Sequence, residues 1–241
     1  MRQVSETYQP GLNDVSVWEE NAGSGRATGG GLTAIGALQR LEPKETLVWE
    51  GDAAADVFQI VRGVACLYKL LPDGRRQVAR FCFAGDIVGL AADACYPYTV
   101  DALTDLTVAR VRRAALDSRI ETDRSLRQAV MRALGRELSV AQNQLLLLGR
   151  KSASERVATF LQAMVAQALR DGGDGRSVAL AMTRIDIADY LGLTHETVCR
   201  TISLFKAQGI IATPDPHLIE IRRPDLLVEI AEGDRAEALC A

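Results

Sequence analysis

The sequence predicts an α+β chain: an antiparallel β-roll first, then one long helix, then a winged helix-turn-helix. Three observations carry this. Short apolar runs broken by glycines and turn residues fill the region from Leu32 to Asp117. Apolar residues spaced by three or four, with no proline among them, then run from Leu126 to Leu148. Further on, "MTRIDIADYLGLTHETVCR" (182–200) places two short helical patterns on either side of a glycine-centred turn.

The chain opens on polar residues 1–30 and the glycine-rich "NAGSGRATGGG", which reads as a flexible extension. Residues 31–117 make the roll. "TLVWEGDAA", "DVFQIVRGVACLYKLLPDGRRQVARFCFAGDIVGL" and "YTVDALTDLTVARVRR" alternate apolar with polar residues or stay apolar for a few positions. Gly51, Gly63, Gly85 and the "PDG" at 72–74 punctuate them, and "LPDGRR" reads as a hairpin turn.

Residues 118–150 form the long helix. Its stripe is Leu126, Val130, Leu134, Leu138, Ala141, Leu145 and Leu148, with Gly135 inside at some cost to helix stability. Such a helix can pack on its own barrel or against its copy. The narrow, coiled-coil-like stripe favours a two-fold dimer seam. "GRKSASERVATFLQAM" restarts the chain, with Ser152 and Glu155 as a capping box, so Gly149–Lys151 is the expected hinge. Residues 151–241 then form the second domain. Its first helix ends at "DGGDG", and the strand "SVALAM" leads into the helix pair.

In that pair Ile187 is expected to be buried, and Ala188 is small where the helices touch. Gly192 occupies the position that wants positive φ, between Leu191 and Leu193. Thr183 with Asp186, and Thr194, can cap the two helices. On a wheel of about 100° per residue, Val198, Ile202 and Phe205 share the core side of the second helix. Glu196, Arg200 and Ser203 lie opposite, with His195, Cys199 and Lys206 along one flank. A helix so placed lays its N-terminal part in the major groove, where glutamate accepts from cytosine N4 and arginine donates twice to guanine. The competing reading is an i,i+4 surface ion pair, which the helix-turn-helix context disfavours. Glu196, Arg200, Cys199, His195 and Ser203 are thus the candidate base readers. Thr183, Arg184, Thr194, Thr197 and Lys206 are the candidate backbone contacts. "GIIATPDPHLIEIRR" reads as a wing whose Arg222 and Arg223 reach phosphates or end a solvated strand.

Composition sets the limits. The 241 residues are 48% hydrophobic with a net charge of -3, enough for two modest domains and a real core. No run of 18 apolar residues and no apolar leader occur, so neither a membrane span nor secretion is expected. Five cysteines without close spacing (Cys66, Cys82, Cys95, Cys199, Cys240) point to reduced thiols and a cytoplasmic setting. The first three fall in or beside strands and read as buried hydrophobes. With a pI near 5.5, any nucleic-acid contact has to come from a local patch. No metal-ligand spacing, phosphate loop or nucleophile–histidine pair stands out, so an enzyme is not expected.

The glycine-punctuated roll, the long helix and "MTRIDIADYLGLTHETVCR" resemble the CRP/FNR superfamily of bacterial transcription regulators over about residues 32–230. "LLLLGRKSASERVATFL" and "GDIVGL" look closer to its FNR and FixK branches. The resemblance implies a cyclic-nucleotide-binding-like roll and a homodimer on double-stranded DNA. It also implies contacts with RNA polymerase, for which the "LLPDGRRQ" hairpin is a candidate. Glu196 and Arg200 match the base-reading positions, implying an inverted repeat resembling TTGAT…ATCAA. Cys199 stands where FNR-like sequences carry serine; it is either a serine-like bystander or a thiol whose oxidation would weaken DNA binding. The phosphate-holding arginine of a cyclic-nucleotide pocket is replaced by Tyr98 before Thr99, so cAMP is not expected. Residues 1–65 contain no cysteine, so neither is an FNR-type iron–sulfur cluster. The only histidines, His195 and His217, lie outside the roll, so haem is not expected there and no cofactor is assigned. A second class of function is a sensor whose roll binds an unidentified small molecule.

Overall fold

The computed structural model describes residues 31–91 and 93–233; the expected N-terminal extension and Cys240 lie outside them. Eight strands build the roll: β1 Ala37–Leu41, β2 Thr46–Val48, β3 Asp56–Arg62, β4 Ala65–Leu70, β5 Arg76–Cys82, β6 Ile87–Val88, β7 Thr99–Ala102 and β8 Leu106–Arg112. They pair antiparallel in two sheets, ordered β1-β8-β3-β6 and β2-β7-β4-β5. Alternation decides which side faces in. On β8, Leu106 and Val108 turn toward the second sheet and join Phe58, Ile60, Leu67, Val88 and Val100 in a buried core. Glycine is required at Gly63, where φ is +93° and a Cβ would come within 2.2 Å of Asp105 O.

The outer face of the first sheet is covered by a short 3₁₀ turn (Leu32–Ala34) and by helices α1 (Arg113–Thr122) and α2 (Arg124–Arg150). The sequence pattern suggests one long helix from residue 118. Instead, helix begins directly after β8 and breaks at Asp123, whose side chain accepts from Ser125 N and Leu126 N to start α2 afresh. The expected dimer seam also needs correcting at its start. Leu126 and Val130 pack on Leu32, Val57, Val111 and Leu116 of the same chain and are 3% and 8% exposed, leaving no surface for a partner. Of the later stripe, Leu138 and Leu145 are exposed, and so is Met131.

The rest of the described chain is α3 (Ala153–Arg170), β9 (Ser177–Ala179), α4 (Arg184–Leu191), α5 (His195–Ala207), β10 (Ile211–Asp215), β11 (Leu218–Ile221) and α6 (Pro224–Glu232). The Ser152–Glu155 capping box opens α3. Strands β10, β11 and β9 form one small antiparallel sheet in that order, the wing. Helix α6 was not anticipated. Pro224 at its start, Leu227, Ile230 and Ala231 on one side, and left-handed Gly233 after its end all mark it. The core of this domain extends into the roll, taking in Cys66, Val78 and Phe81 of the second sheet. Cys66 and Cys82 are buried, and burial pushes both thiols up, Cys82 to about 12. Cys95, expected inside, is exposed. Among the described residues no helix is long and apolar enough to cross a membrane.

Candidate nucleic-acid interface

Helix α4 starts where Asp186 N donates to Thr183 Oγ1 and Asp186 Oδ2 accepts from Thr183 N at 2.8 Å. It ends at Gly192, with φ +62° and ψ 38°, and Leu193 N donates back to Ala188 O. Thr194 then accepts from Thr197 N at 3.1 Å and starts α5. Ile187, Ala188, Leu191, Val198, Ile202 and Phe205 are all buried, so sequence alone fixes which side of α5 faces inward.

The other side of α5 is free. His195, Glu196, Arg200, Ser203 and Lys206 are exposed, and Cys199 is half-buried with its Sγ 3.5 Å from His195 Nε2. Among the described residues neither Glu196 nor Arg200 is engaged in an ion pair. The surface-pair reading of their spacing therefore loses its basis.

The backbone candidates differ in their freedom. Thr183 and Thr194 are exposed but already serve as caps, and Thr197 Oγ1 lies 2.9 Å from Thr194 Oγ1. Arg184 is half-buried, donates through Nη2 to Pro216 O in the wing turn, and leaves Nη1 without a partner. Burial holds its pKa below the usual value. On the wing, Arg222 pairs with Glu220 at 2.6 Å and Arg223 with Asp225 at 3.0 Å. Such exposed pairs are worth little and leave either arginine free to turn to a phosphate.

Several residues that fix this head in place escape sequence reasoning. Arg76, in the hairpin named as a candidate polymerase contact, donates to Asp189 at 2.8 Å and to Asp186, and stacks 5.3 Å from the Tyr68 ring centroid. Burial opposes the charge on Arg76, but its two acidic partners hold its pKa above the usual value. Gln77 donates to Asp189 O at 2.7 Å. Arg156 joins the ends of three segments, donating to Leu148 O, Lys151 O and Leu191 O, each at 2.9 Å. Gln144 of α2 donates to Tyr190 O at 2.7 Å. Among these contacts, Arg76 and Asp186 are separated by 110 positions, and no local pattern reports such a pairing.

Two family models match the chain: a Crp-like helix-turn-helix domain over residues 155–230 and a cyclic nucleotide-binding domain over residues 38–123. The transcriptional activatory protein AadR of Rhodopseudomonas palustris is 42% identical over 177 residues, 73% of this chain and 74% of that protein. The nitrogen fixation regulation protein FixK of Azorhizobium caulinodans is 37% identical over 195 residues, 79% of this chain and 77% of that protein. Among solved structures, FixK2 from Bradyrhizobium japonicum matches with a TM-score of 0.75 and 35% identity, covering 81% of this chain and 96% of that one.

Proposed function

The chain belongs to the CRP/FNR superfamily of transcription regulators, and we propose that it acts as a homodimer reading an inverted repeat resembling TTGAT…ATCAA. That it is a FixK/FNR-type regulator with a helix-turn-helix DNA-binding domain follows from its relatives. The repeat, the dimer and the residues that read DNA are our reading. One observation carries it: Glu196 and Arg200, four apart on α5, both exposed and neither in an ion pair. Glu196 accepts from a cytosine amino group and Arg200 donates to a guanine, with Ser203, His195 and Cys199 bordering them. Lys206, Thr183, Thr194, Thr197 and Arg184 face the backbone.

The dimer reading is supported by exposed apolar residues at heptad spacing on α2. Met131, Leu138 and Leu145 recur every seventh position, and Leu134, Ala141 and Leu148 follow three places after each. We divide the described chain into a roll with its following short helix over 31–123, a dimer helix over Arg124–Arg150 and a DNA-binding domain over 151–233. Neither cAMP nor an iron–sulfur cluster enters this reading, because Tyr98 replaces the cation and residues 1–65 lack cysteine. Regulation as an activator through RNA polymerase, in the cytoplasm, completes it and matches the activator name of AadR.

A mobility shift on a TTGAT…ATCAA duplex tests the proposal. Glu196→Ala and Arg200→Ala should each weaken specific binding by about 1–3 kcal/mol per lost contact, roughly ten- to a hundredfold, with the fold intact. Unchanged affinity for the repeat in both variants would remove the assignment.

A further inference from the structure

A cavity of about 200 Å³ lies where the roll, α2, α3 and α4 meet. The β5–β6 connection supplies Phe83 and Asp86 to its wall, and β5 supplies Arg80. Helix α2 adds Arg136, Glu137 and Val140; α3 adds Phe160, Met164 and Arg170. It is not the pocket in which a roll of this kind would hold a cyclic nucleotide, since Tyr98 and Thr99 do not line it. Its volume also falls below the roughly 300–1,000 Å³ usual for pockets that take drug-sized ligands. An apolar cavity of about 150 Å³ accommodates a benzene ring, so there is room here for a ring and one small polar group.

The charges in the wall do not balance. Arg80 donates to Asp86 at 3.1 Å. Arg170 donates to the Gln167 side chain, which in turn donates to Asp171, and Asp86 and Asp171 attract it at longer range; Arg136 is in no ion pair among the described residues. Glu137 is the other acid, and burial raises its pKa against the opposing pull of Arg80. The Arg136 and Arg170 guanidinium groups thus border an apolar space with no carboxylate in direct contact, Asp86 and Asp171 acting on Arg170 only from a distance. Arginine matches a carboxylate with two parallel hydrogen bonds, which makes such an anion the fitting occupant. A bare inorganic anion would leave the Phe160, Met164 and Val140 wall without apolar contact.

We propose that this cavity binds a small monocarboxylate with a ring-sized apolar body, its carboxylate held by Arg136 and Arg170. Because the wall joins the roll to α3 and α4 across the hinge, the occupant biases how α5 is presented. Only that consequence rests on the DNA-binding reading; the site itself does not.

The test uses the full chain, free of DNA, with ¹³C-labelled methionine methyls. Met164 lines the cavity, whereas Met182, buried elsewhere in the same domain, serves as the control. Cyclohexanecarboxylate should shift the Met164 methyl saturably in the millimolar range or below and leave Met182 still. Its amide should bind at least tenfold more weakly, and inorganic phosphate should leave Met164 unmoved. Arg136→Gln should weaken the acid at least tenfold. Where the Met182 signal reports a disturbed fold, Arg170→Gln carries the same expectation. An unmoved Met164, equal binding of acid and amide, or unchanged affinity in the folded arginine variant would overturn the proposal. A protein that binds the acid but not the repeat would overturn the DNA reading alone.

Discussion

Asp186 does two jobs with one carboxylate. It closes the capping box with Thr183 and receives the guanidinium of Arg76 from the roll. Only the first is legible in sequence, because the partners of a capping box are three positions apart whereas the Arg76 pairing depends on how two domains pack. Burial opposes ionisation of Asp186, but hydrogen bonds from Thr183 and Arg76 outweigh it and hold the carboxyl below its ordinary 3.8. The sign follows from a depressed folded-state pKa. The stability Asp186 contributes is full above the ordinary carboxylate value and is lost as the pH falls below it. Asp186→Asn should therefore cost about 2–3 kcal/mol in urea unfolding at neutral pH, since it weakens a largely buried charge pair. The gap between variant and parent should close as the pH drops below 3.8. A gap that stayed constant down to acid pH would show that charge is not what Asp186 contributes. The base-reading candidates belong to the opposite case: a helical wheel places them outward, and the structure finds all of them exposed except the half-buried Cys199.

At the scale of elements, the turn and the long helix each rest on a feature that one substitution can probe. Gly192 sits at φ +62°, and a Cβ there would come 3.2 Å from Leu148 Cδ2 at the end of α2. Gly192→Ala should destabilise by about 1–2 kcal/mol from the left-handed backbone alone, with the crowding added to it; calorimetry would read the loss. Leu148 itself is half-buried against the core that contains Leu191. On α2 the apolar stripe legible in sequence is really two stripes. Through Leu134 one side of it packs on the chain's own roll; on another side Met131, Leu138 and Leu145 are exposed at heptad spacing. Periodicity cannot separate these, since burial by one's own sheet and burial by a partner select the same residue types. Leu138→Glu with Leu145→Glu should leave the monomer folded, because both side chains are exposed, and should convert a sedimenting dimer to monomer. A variant that remained dimeric would move the seam elsewhere.

One core runs across the expected hinge at Gly149–Lys151 and joins the roll to the C-terminal domain. Phe81 on β5, Phe160 on α3 and Tyr190 on α4 meet with ring centroids 5.2–6.3 Å apart, joining roll, helix and reading head. Arg76 and Gln77 on the same strand add polar bonds to α4, and Gln144 and Arg156 tie α2 and α3 to its C-terminal end. Motif reading finds each domain because each has its own periodicity. It misses their union because the joining residues come from separate elements and carry no shared spacing. The roll also has a second core of its own around Phe58, Ile60 and Val100, which contains none of the three joining rings. The full chain should therefore unfold in a single calorimetric transition, the joining contacts making two cores cooperate. Phe81→Ala removes the ring that touches both others and should cost about 3–5 kcal/mol. Because the loss falls on the junction, the single transition should separate into two, the roll's core and the reading head melting independently. A variant that still melted once, at a lower temperature, would place the coupling in the Arg76 and Arg156 bonds instead. Two transitions in the parent chain would show that the shared core does not couple the domains.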